Sequence, residues 1–371
     1  MLTKIEVENF KCFNENFVFD LSQTNSFNFN KECVKDGIVN KALIYGYNGV
    51  GKSNLALAIF DIVSHVSDKR FSVEKYNNYL NANNKLDVAK FKFEFKFGEN
   101  ILVYEYTKKD VETLVQEKVT INDTQYAFID RAQSNIFQTV AKGTESLNKD
   151  LKNSTISIVK YIDANSVLED NKENETFKQF VDFINHMLLF RNLDDRFYIG
   201  LEEGTHSLEE DIVEKGNLKD FEKFLNDAGI KCKLQESQRG AKKGIDFVFE
   251  KRSISFFEIA SSGTVSLTLF YFWYQRLLRE EERCSFLFID EFDAFYHHDL
   301  SKLIVEKLKK VQSTQVILTT HNTAIISNDL LRPDCYFLMY EDKIKSLSNS
   351  TVKELRAAHN IEKMYRAGSF E

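Results

Sequence analysis

Apolar and polar residues along this chain change period several times, and each change marks a different kind of element. Leu2, Ile5, Val7 and Phe10 alternate imperfectly with Lys4, Glu6 and Glu8, which predicts a half-buried strand over Leu2 to Phe10. Phe17 to Leu21 predicts a second strand within hairpin distance, and the polar, Asn-rich residues 22–40 a surface loop. A short apolar run, Ala42 to Tyr45, leads into a helical pattern from Ser53 to about His65, with Leu55, Ala58, Ile59 and Ile62 on one side. Residues 67–86 are polar and irregular. The clearest alternation follows: Phe91, Phe93, Phe95 and Phe97 against Lys92, Glu94 and Lys96. Gly98-Glu99-Asn100 then turns the chain into Ile101 to Tyr106, and Glu117 to Asn122 adds a third strand to an antiparallel meander. Its lysines present either a face for nucleic acid or a solvated sheet face, and the second reading is favoured by about four to one.

Residues 139–170 are weakly patterned. Phe177, Phe180, Val181, Phe183, Ile184 and Leu188 form an apolar stripe that predicts a helix from Glu169 to Arg191, its stripe facing the core. The acidic stretch 202–214 predicts a loop or an exposed helix start, and Leu218 to Ala228 a helix stopped by Gly229. A hairpin over Gly244 to Ile259 precedes a strongly apolar helix, Thr264 to Leu278. Cys284 to Asp290 and Val316 to Thr320 are nearly continuous apolar runs, as expected of parallel strands covered by helices on both faces. Heptads are nowhere sustained, so no long coiled-coil arm is expected. The fold class is therefore α/β, with a mainly parallel core sheet, an antiparallel meander and a helical insertion.

Composition adds limits rather than chemistry. With 371 residues and 43% hydrophobic content the chain can build a sizeable core. Its 33 Phe and single Pro read as biased codon usage. A net charge of −7 argues against a protein coated by nucleic acid. Cys12, Cys33, Cys232, Cys284 and Cys335 lie far apart with no CxxC pair, which fits neither a zinc site nor a disulfide framework. No run approaches a membrane span and the N-terminus lacks a signal peptide's apolar core, so a soluble, cytoplasmic protein is expected.

The candidate chemistry begins with GYNGVGKS, Gly46 to Ser53, between the short strand and its helix. That context is a P-loop. Gly46, Gly49 and Gly51 allow a tight turn whose N–H groups point inward at phosphates. Lys52 supplies a point charge for the β- and γ-phosphates, Ser53 a hydroxyl for Mg²⁺, and the helix N-terminus its dipole. Asn48, Gly49, Val50, Gly51, Lys52, Ser53 and Asn54 make up the expected nucleotide-binding set. Asp290 ends a buried strand at the edge where open α/β sheets bind ligands, and is suited to the Mg²⁺ shell. The next residue, Glu291, is suited to polarise an attacking water. His321 ends the following apolar run. An isolated histidine there is more often structural; one strand after an Asp-Glu pair it is expected to bond the γ-phosphate or the water. Ala260-Ser261-Ser262-Gly263-Thr264 feeds another helix N-terminus. On its own it would be an ordinary N-cap. In this order of motifs it is a second phosphate-ready helix start, serving the nucleotide held by another subunit.

The order GYNGVGKS, ASSGT, FLFIDE, LTTH resembles the ABC-type ATPases of the RecF/SMC/OLD group, and the opening IEVENFKCF looks like that group's first strand and turn. The likeness covers residues 1–66 and about 245–371 well, and the middle poorly. It implies an ABC-ATPase head that binds ATP and Mg²⁺ and forms a homodimer, or a higher oligomer, with ATP at the interface. Ser261 and Gly263 would then contact the opposite γ-phosphate, and Asp293, in Phe292-Asp293-Ala294, would reach across. Lys52, Glu291 and His321 would be catalytic, with Ser53 and Asp290 holding the metal. Ser262 and Thr264 depart from the transporter signature LSGGQ, and the Q-loop glutamine is open among Gln116, Gln125, Gln133 and Gln138. The expected organisation is a single ATPase domain in two lobes. Residues 1–138 carry the P-loop, 139–245 a helical insertion and partner surface, and 246–371 the remaining motifs. The ending IEKMYRAGSFE is similar to stand-alone ATPases of bacterial phage-defence and abortive-infection systems. Such proteins work with a separately encoded effector, often a Toprim-type or other nuclease. The stretch after His321 is too short for a Toprim, HNH or HEPN-like segment, so this chain is expected to be the ATPase and sensor. The competing readings are a RecF-like repair ATPase that binds duplex DNA and, more weakly, a transporter subunit; no membrane partner is expected.

Overall fold

The period-two segments and the continuous apolar runs sort into two separate seven-stranded sheets. This computed structural model describes residues 1–152, 154–191, 198–201, 207–240, 242–279 and 284–370. Part of the acidic stretch read as a loop or helix start, residues 202–206, lies outside them; its remainder includes the helix Leu208–Glu214, which opens with a capping box at Ser207.

The antiparallel sheet runs in the order Gln138–Thr139, Thr124–Asp130, Leu114–Ile121, Asn100–Lys108, Ala89–Phe97, Leu2–Glu8, Phe17–Asp20. The meander is longer than the sequence suggested. Asn122 and Asp123 both take positive φ, 46° and 63°, and so form the tight turn that starts the additional strand Thr124–Asp130. Phe91, Phe93 and Phe95 are buried. Phe95 meets Phe180 and Phe183 of the helix Lys172–Asn185 edge to face, at 5.2 and 5.4 Å. On the other face four lysines find a carboxylate on a neighbouring strand: Lys90 with Glu8 (3.0 Å), Lys92 and Lys118 with Glu105 (both 3.8 Å), Lys4 with Glu94 (3.6 Å). That is a solvated sheet face with most of its charges matched.

The core sheet runs Tyr198–Gly200, Met187–Arg191, Phe286–Asp290, Gln315–Thr320, Lys41–Tyr45, Tyr336–Met339, Ile344–Ser346. Its five central strands are parallel, and only the edges are antiparallel. One element differs in kind from its expectation. The helix predicted through Arg191 stops at Asn185, and Met187–Arg191 is a parallel strand beside Phe286–Asp290. A helix buries a stripe, whereas Met187, Leu188, Leu189 and Phe190 are all buried in succession. Only a strand covered on both faces accommodates that. The hairpin expected over Gly244 to Ile259 is instead a three-stranded sheet, Leu234–Arg239, Lys242–Val248 and Ser253–Ser255, followed by the short helix Phe256–Ile259. Among the described residues no helix is long and apolar enough to cross a membrane.

Two buried polar contacts fix the sheets to each other and to the phosphate-loop helix. The Gln315 amide accepts from Leu2 N (3.0 Å) and donates to Leu2 O (2.9 Å), joining the first strand to the core sheet. Asp61, which caps the helix Lys52–Phe60, accepts from Tyr79 (2.9 Å), Tyr106 (2.9 Å) and Lys108 (3.1 Å). Both Asp61 and Lys108 side chains are 0% exposed. Burial pulls the Lys108 ammonium below the usual lysine range, and Asp61 opposes that pull. Replacing Asp61 by Ala strands a buried cation, so a loss of about 3–5 kcal/mol is expected in urea unfolding. A loss below about 1 kcal/mol would mean that water reaches the pair.

Candidate nucleotide site

The strand order decides what meets at the C-terminal edge of the core sheet. Gln315–Thr320 lies between Lys41–Tyr45 and Phe286–Asp290, so His321 emerges between the phosphate loop and the Asp-Glu pair. Within the loop Gly49 and Gly51 adopt φ of +86° and +103°, a region unfavourable to side chains. A Cβ on Gly51 would also lie 2.6 Å from the Cys12 thiol. Gly51 caps a helix that opens at Lys52, and the first N–H groups of a helix have no intrahelical acceptor. They are therefore free for an anion.

Lys52 is buried, and its ammonium donates to the carbonyls of Gly46 (2.8 Å) and Tyr47 (3.0 Å). It also lies 3.3 Å from His321 Nδ1. Burial lowers its proton affinity, while Asp290 and Glu291 raise it. His321 Nε2 in turn lies 3.3 Å from Glu291 Oε1, giving a continuous Lys52–His321–Glu291 chain. Beside it, Ser53 Oγ donates to Asp290 Oδ2 at 2.5 Å. A hydroxyl and a carboxylate in contact would suit the protein side of a Mg²⁺ shell. Five residues from three segments far apart in sequence, Lys52, Ser53, Asp290, Glu291 and His321, thus share one site.

Thr319 is the site residue that the sequence reading passed over. Its hydroxyl donates to Asp290 Oδ1 (2.6 Å) and accepts from the Glu291 N–H (2.7 Å), so one side chain positions both acids. Glu291 is held at φ +50°, uncommon for a residue with a side chain, and the Thr319 bond supports that turn. The only hint was the threonine pair before His321; its meaning depends on the register that sets Leu318 beside Ile289. Thr320 likewise donates to Asp293 Oδ2 (2.7 Å), so the D-loop carboxyl is held within its own chain.

Other expected residues lie apart from this cluster. Asn48 and Gly49 form the loop tip, open to solvent, Val50 is half-buried against the core, and Asn54 faces the Cys12 thiol. Ser261 caps the helix Ser262–Leu277, its Oγ accepting from Thr264 N at 3.3 Å. A Cβ on Gly263 would crowd the Phe295 carbonyl at 3.3 Å. Among the described residues no hydrogen bond joins Ser261 or Gly263 to Lys52, Ser53, Asp290, Glu291 or His321. Gln116, Gln125 and Gln138 lie on strands of the antiparallel sheet and Gln133 in a turn, and none bonds to the cluster.

No curated protein matches the chain. Two solved structures are distantly similar, each covering 93% of this chain and 97% of its own. One is an SMC head bound to the C-winged helix domain of ScpA, 15% identical with a TM-score of 0.48. The other is the SMC head domain from Thermotoga maritima, 14% identical with a TM-score of 0.42. The family model described as "AAA domain, putative AbiEii toxin, Type IV TA system" matches residues 41–327, which include the phosphate loop, ASSGT, the Asp-Glu pair and His321. The match spans well over half of the chain, and the protein belongs to that AAA-domain family.

Proposed function

We propose that this protein hydrolyses ATP with Mg²⁺ in a dimer that closes around two nucleotides, and that its nucleotide state controls a separately encoded effector. The observation that carries the reading is the Lys52–His321–Glu291 chain set against the Ser53–Asp290 pair. Lys52 swings from the Gly46 and Tyr47 carbonyls to the β- and γ-phosphates. The loop N–H groups hold the same oxygens. Ser53 and Asp290 would hold the metal, which neutralises phosphate charge when bound. Glu291 accepts the proton of the attacking water, and His321 orients Glu291 or bonds the γ-phosphate. Thr319 keeps Asp290 and Glu291 in register.

Ser261 and Gly263 are turned to a surface of their own, which suits a loop that completes the site of a second subunit. Ser261→Arg is expected to leave nucleotide binding by one subunit unchanged and to block turnover, because the long cation occupies the closing seam. Fluorescent-nucleotide titration beside a phosphate-release assay reads both quantities. Wild-type turnover would reduce ASSGT to a helix cap.

The effector reading rests on the likeness of the ending IEKMYRAGSFE to stand-alone ATPases of defence systems, and the family's description, which names a putative toxin of a type IV toxin–antitoxin system, is compatible with a place in such a system. A nuclease, of Toprim or another type, is the effector class proposed. Residues 139–245 are proposed as its surface, since the helix Leu218–Asp227 and its neighbours take no part in the phosphate chemistry. Co-expression with the neighbouring gene and pull-down in both nucleotide states tests this. ATP-dependent binding of duplex DNA with no co-purifying protein would overturn it in favour of DNA repair.

A further inference from the structure

A pocket of ≈ 680 Å³ lies between the edge strand Ile344–Ser346, residues 349–353 and the turn that follows the helix Ile361–Arg366. None of its lining residues belongs to the nucleotide cluster. Three exposed lysines converge on it, Lys343, Lys345 and Lys353. Among the described residues, none of the three has a carboxylate within ion-pair distance. That contrasts with the antiparallel sheet face, where Lys4, Lys90, Lys92 and Lys118 all meet one. Two of the pocket lysines are held against other lining groups that are neutral. Lys353 Nζ donates to Ser369 Oγ (3.4 Å), and Lys343 Nζ lies 5.4 Å from the centre of the Tyr340 ring. The wall after the helix is fixed by its backbone. Gly368, at φ +71°, donates to Tyr365 O (2.9 Å), Ser369 N donates to Met364 O (3.0 Å), and Phe370 is buried.

We propose that this pocket is a second anion site, which binds a phosphorylated small molecule of nucleotide size and is coupled to the phosphate loop. The inference is independent of ATP hydrolysis and of the composite site. Charge and size select the occupant. Lysine ammoniums are point charges suited to phosphate, and Ser350, Thr351 and Ser369 set hydroxyls beside them. The volume falls within the range of about 300–1,000 Å³ usual for small-molecule sites. Tyr340 and Val352 offer apolar area to the organic part of such a ligand. A nucleic-acid backbone fits less well. Glu341 and Asp342 directly precede Lys343, and Glu354 follows Lys353, all three exposed, so the positive charge is an island rather than a track. Two walls of the pocket continue to the phosphate loop. Tyr340 follows Met339, whose carbonyl stands 2.8 Å from the place of a Cβ on Gly46. The helix before Gly368 carries Tyr365, which meets Tyr45, the last residue of the phosphate-loop strand, edge to face at 5.2 Å. An occupant that bridges these walls bears on the segments against which the loop packs.

Inorganic tripolyphosphate is the probe, titrated by calorimetry into the full chain at low salt. Lys52→Ala removes the contribution of the phosphate loop, and one bound tripolyphosphate is expected to remain. Adding Lys345→Gln and Lys353→Gln is expected to weaken that remaining site by about tenfold or more, since each ammonium–phosphate contact is charge-assisted. Both lysines are exposed, so the fold should survive, and circular dichroism verifies it. Lys219→Gln with Lys223→Gln, two exposed lysines of the helix Leu218–Asp227, controls for general charge. An equal loss in that control, or no binding to the Lys52→Ala chain, overturns the site. Hydrogen exchange in the Lys52→Ala chain reads the coupling. Tripolyphosphate is expected to slow exchange both over residues 343–353 and over residues 45–51, and the two lysine changes to cancel both effects. Slowing confined to 343–353 overturns the coupling and leaves the site. Slowing confined to 45–51 that survives the lysine changes overturns the site itself. Binding of a duplex oligonucleotide but not of tripolyphosphate, lost with the same lysines, overturns the small ligand in favour of nucleic acid.

Discussion

Lys52→Ala is expected to abolish ATP turnover while the protein remains folded. The ammonium is placed to meet the phosphates and lies within 3.3 Å of His321 Nδ1. Its removal costs little stability. It is a buried charge in direct contact, among the described residues, with the Gly46 and Tyr47 carbonyls and one imidazole nitrogen, and burial lowers its proton affinity although Asp290 and Glu291 oppose that. The catalytic cost is large, because a donor aimed at developing charge typically supplies about 10²–10³-fold of rate, and ground-state binding is lost in addition. Phosphate release, nucleotide titration and circular dichroism measured together decide the matter. A well-folded variant with an unaltered rate would remove the phosphate loop from the mechanism.

Glu291→Gln is expected to behave differently, keeping the nucleotide and losing the chemistry. The amide preserves the size of the side chain, its contact with His321 and the N–H bond to Thr319. It lacks the basicity to take a proton from water, a contribution of about 10²–10⁴-fold. Binding should be unchanged and single-turnover hydrolysis slowed by that factor, so the ATP-bound assembly accumulates. Normal hydrolysis would show that Glu291 is structural and that another group positions the water. The two variants separate the halves of the site: one fails before closure, the other after it.

The phosphate loop, the Asp-Glu pair and His321 were legible in the sequence for a common physical reason. Each is written in a few consecutive residues: glycines that permit positive φ before a helix, and a polar side chain ending a continuous apolar run. The meander was legible because period-two alternation is local. What the sequence could not contain was partnership across long separations. The run Met187–Arg191 reads as the end of a helix, and only its partner Phe286–Asp290, far along the chain, makes it a strand. Thr319 is one more apolar-run residue until the parallel register sets it against Asp290. The Asp61–Lys108 pair is a carboxylate and an amine in unrelated segments until two sheets enclose them at zero exposure. Nor does spacing tell that Lys52 rests on its own loop, or that Lys343 and Lys353 share a pocket with Ser369. Local motifs fix which atoms can do chemistry; strand order and register, set by burial of the whole core, fix which of them meet.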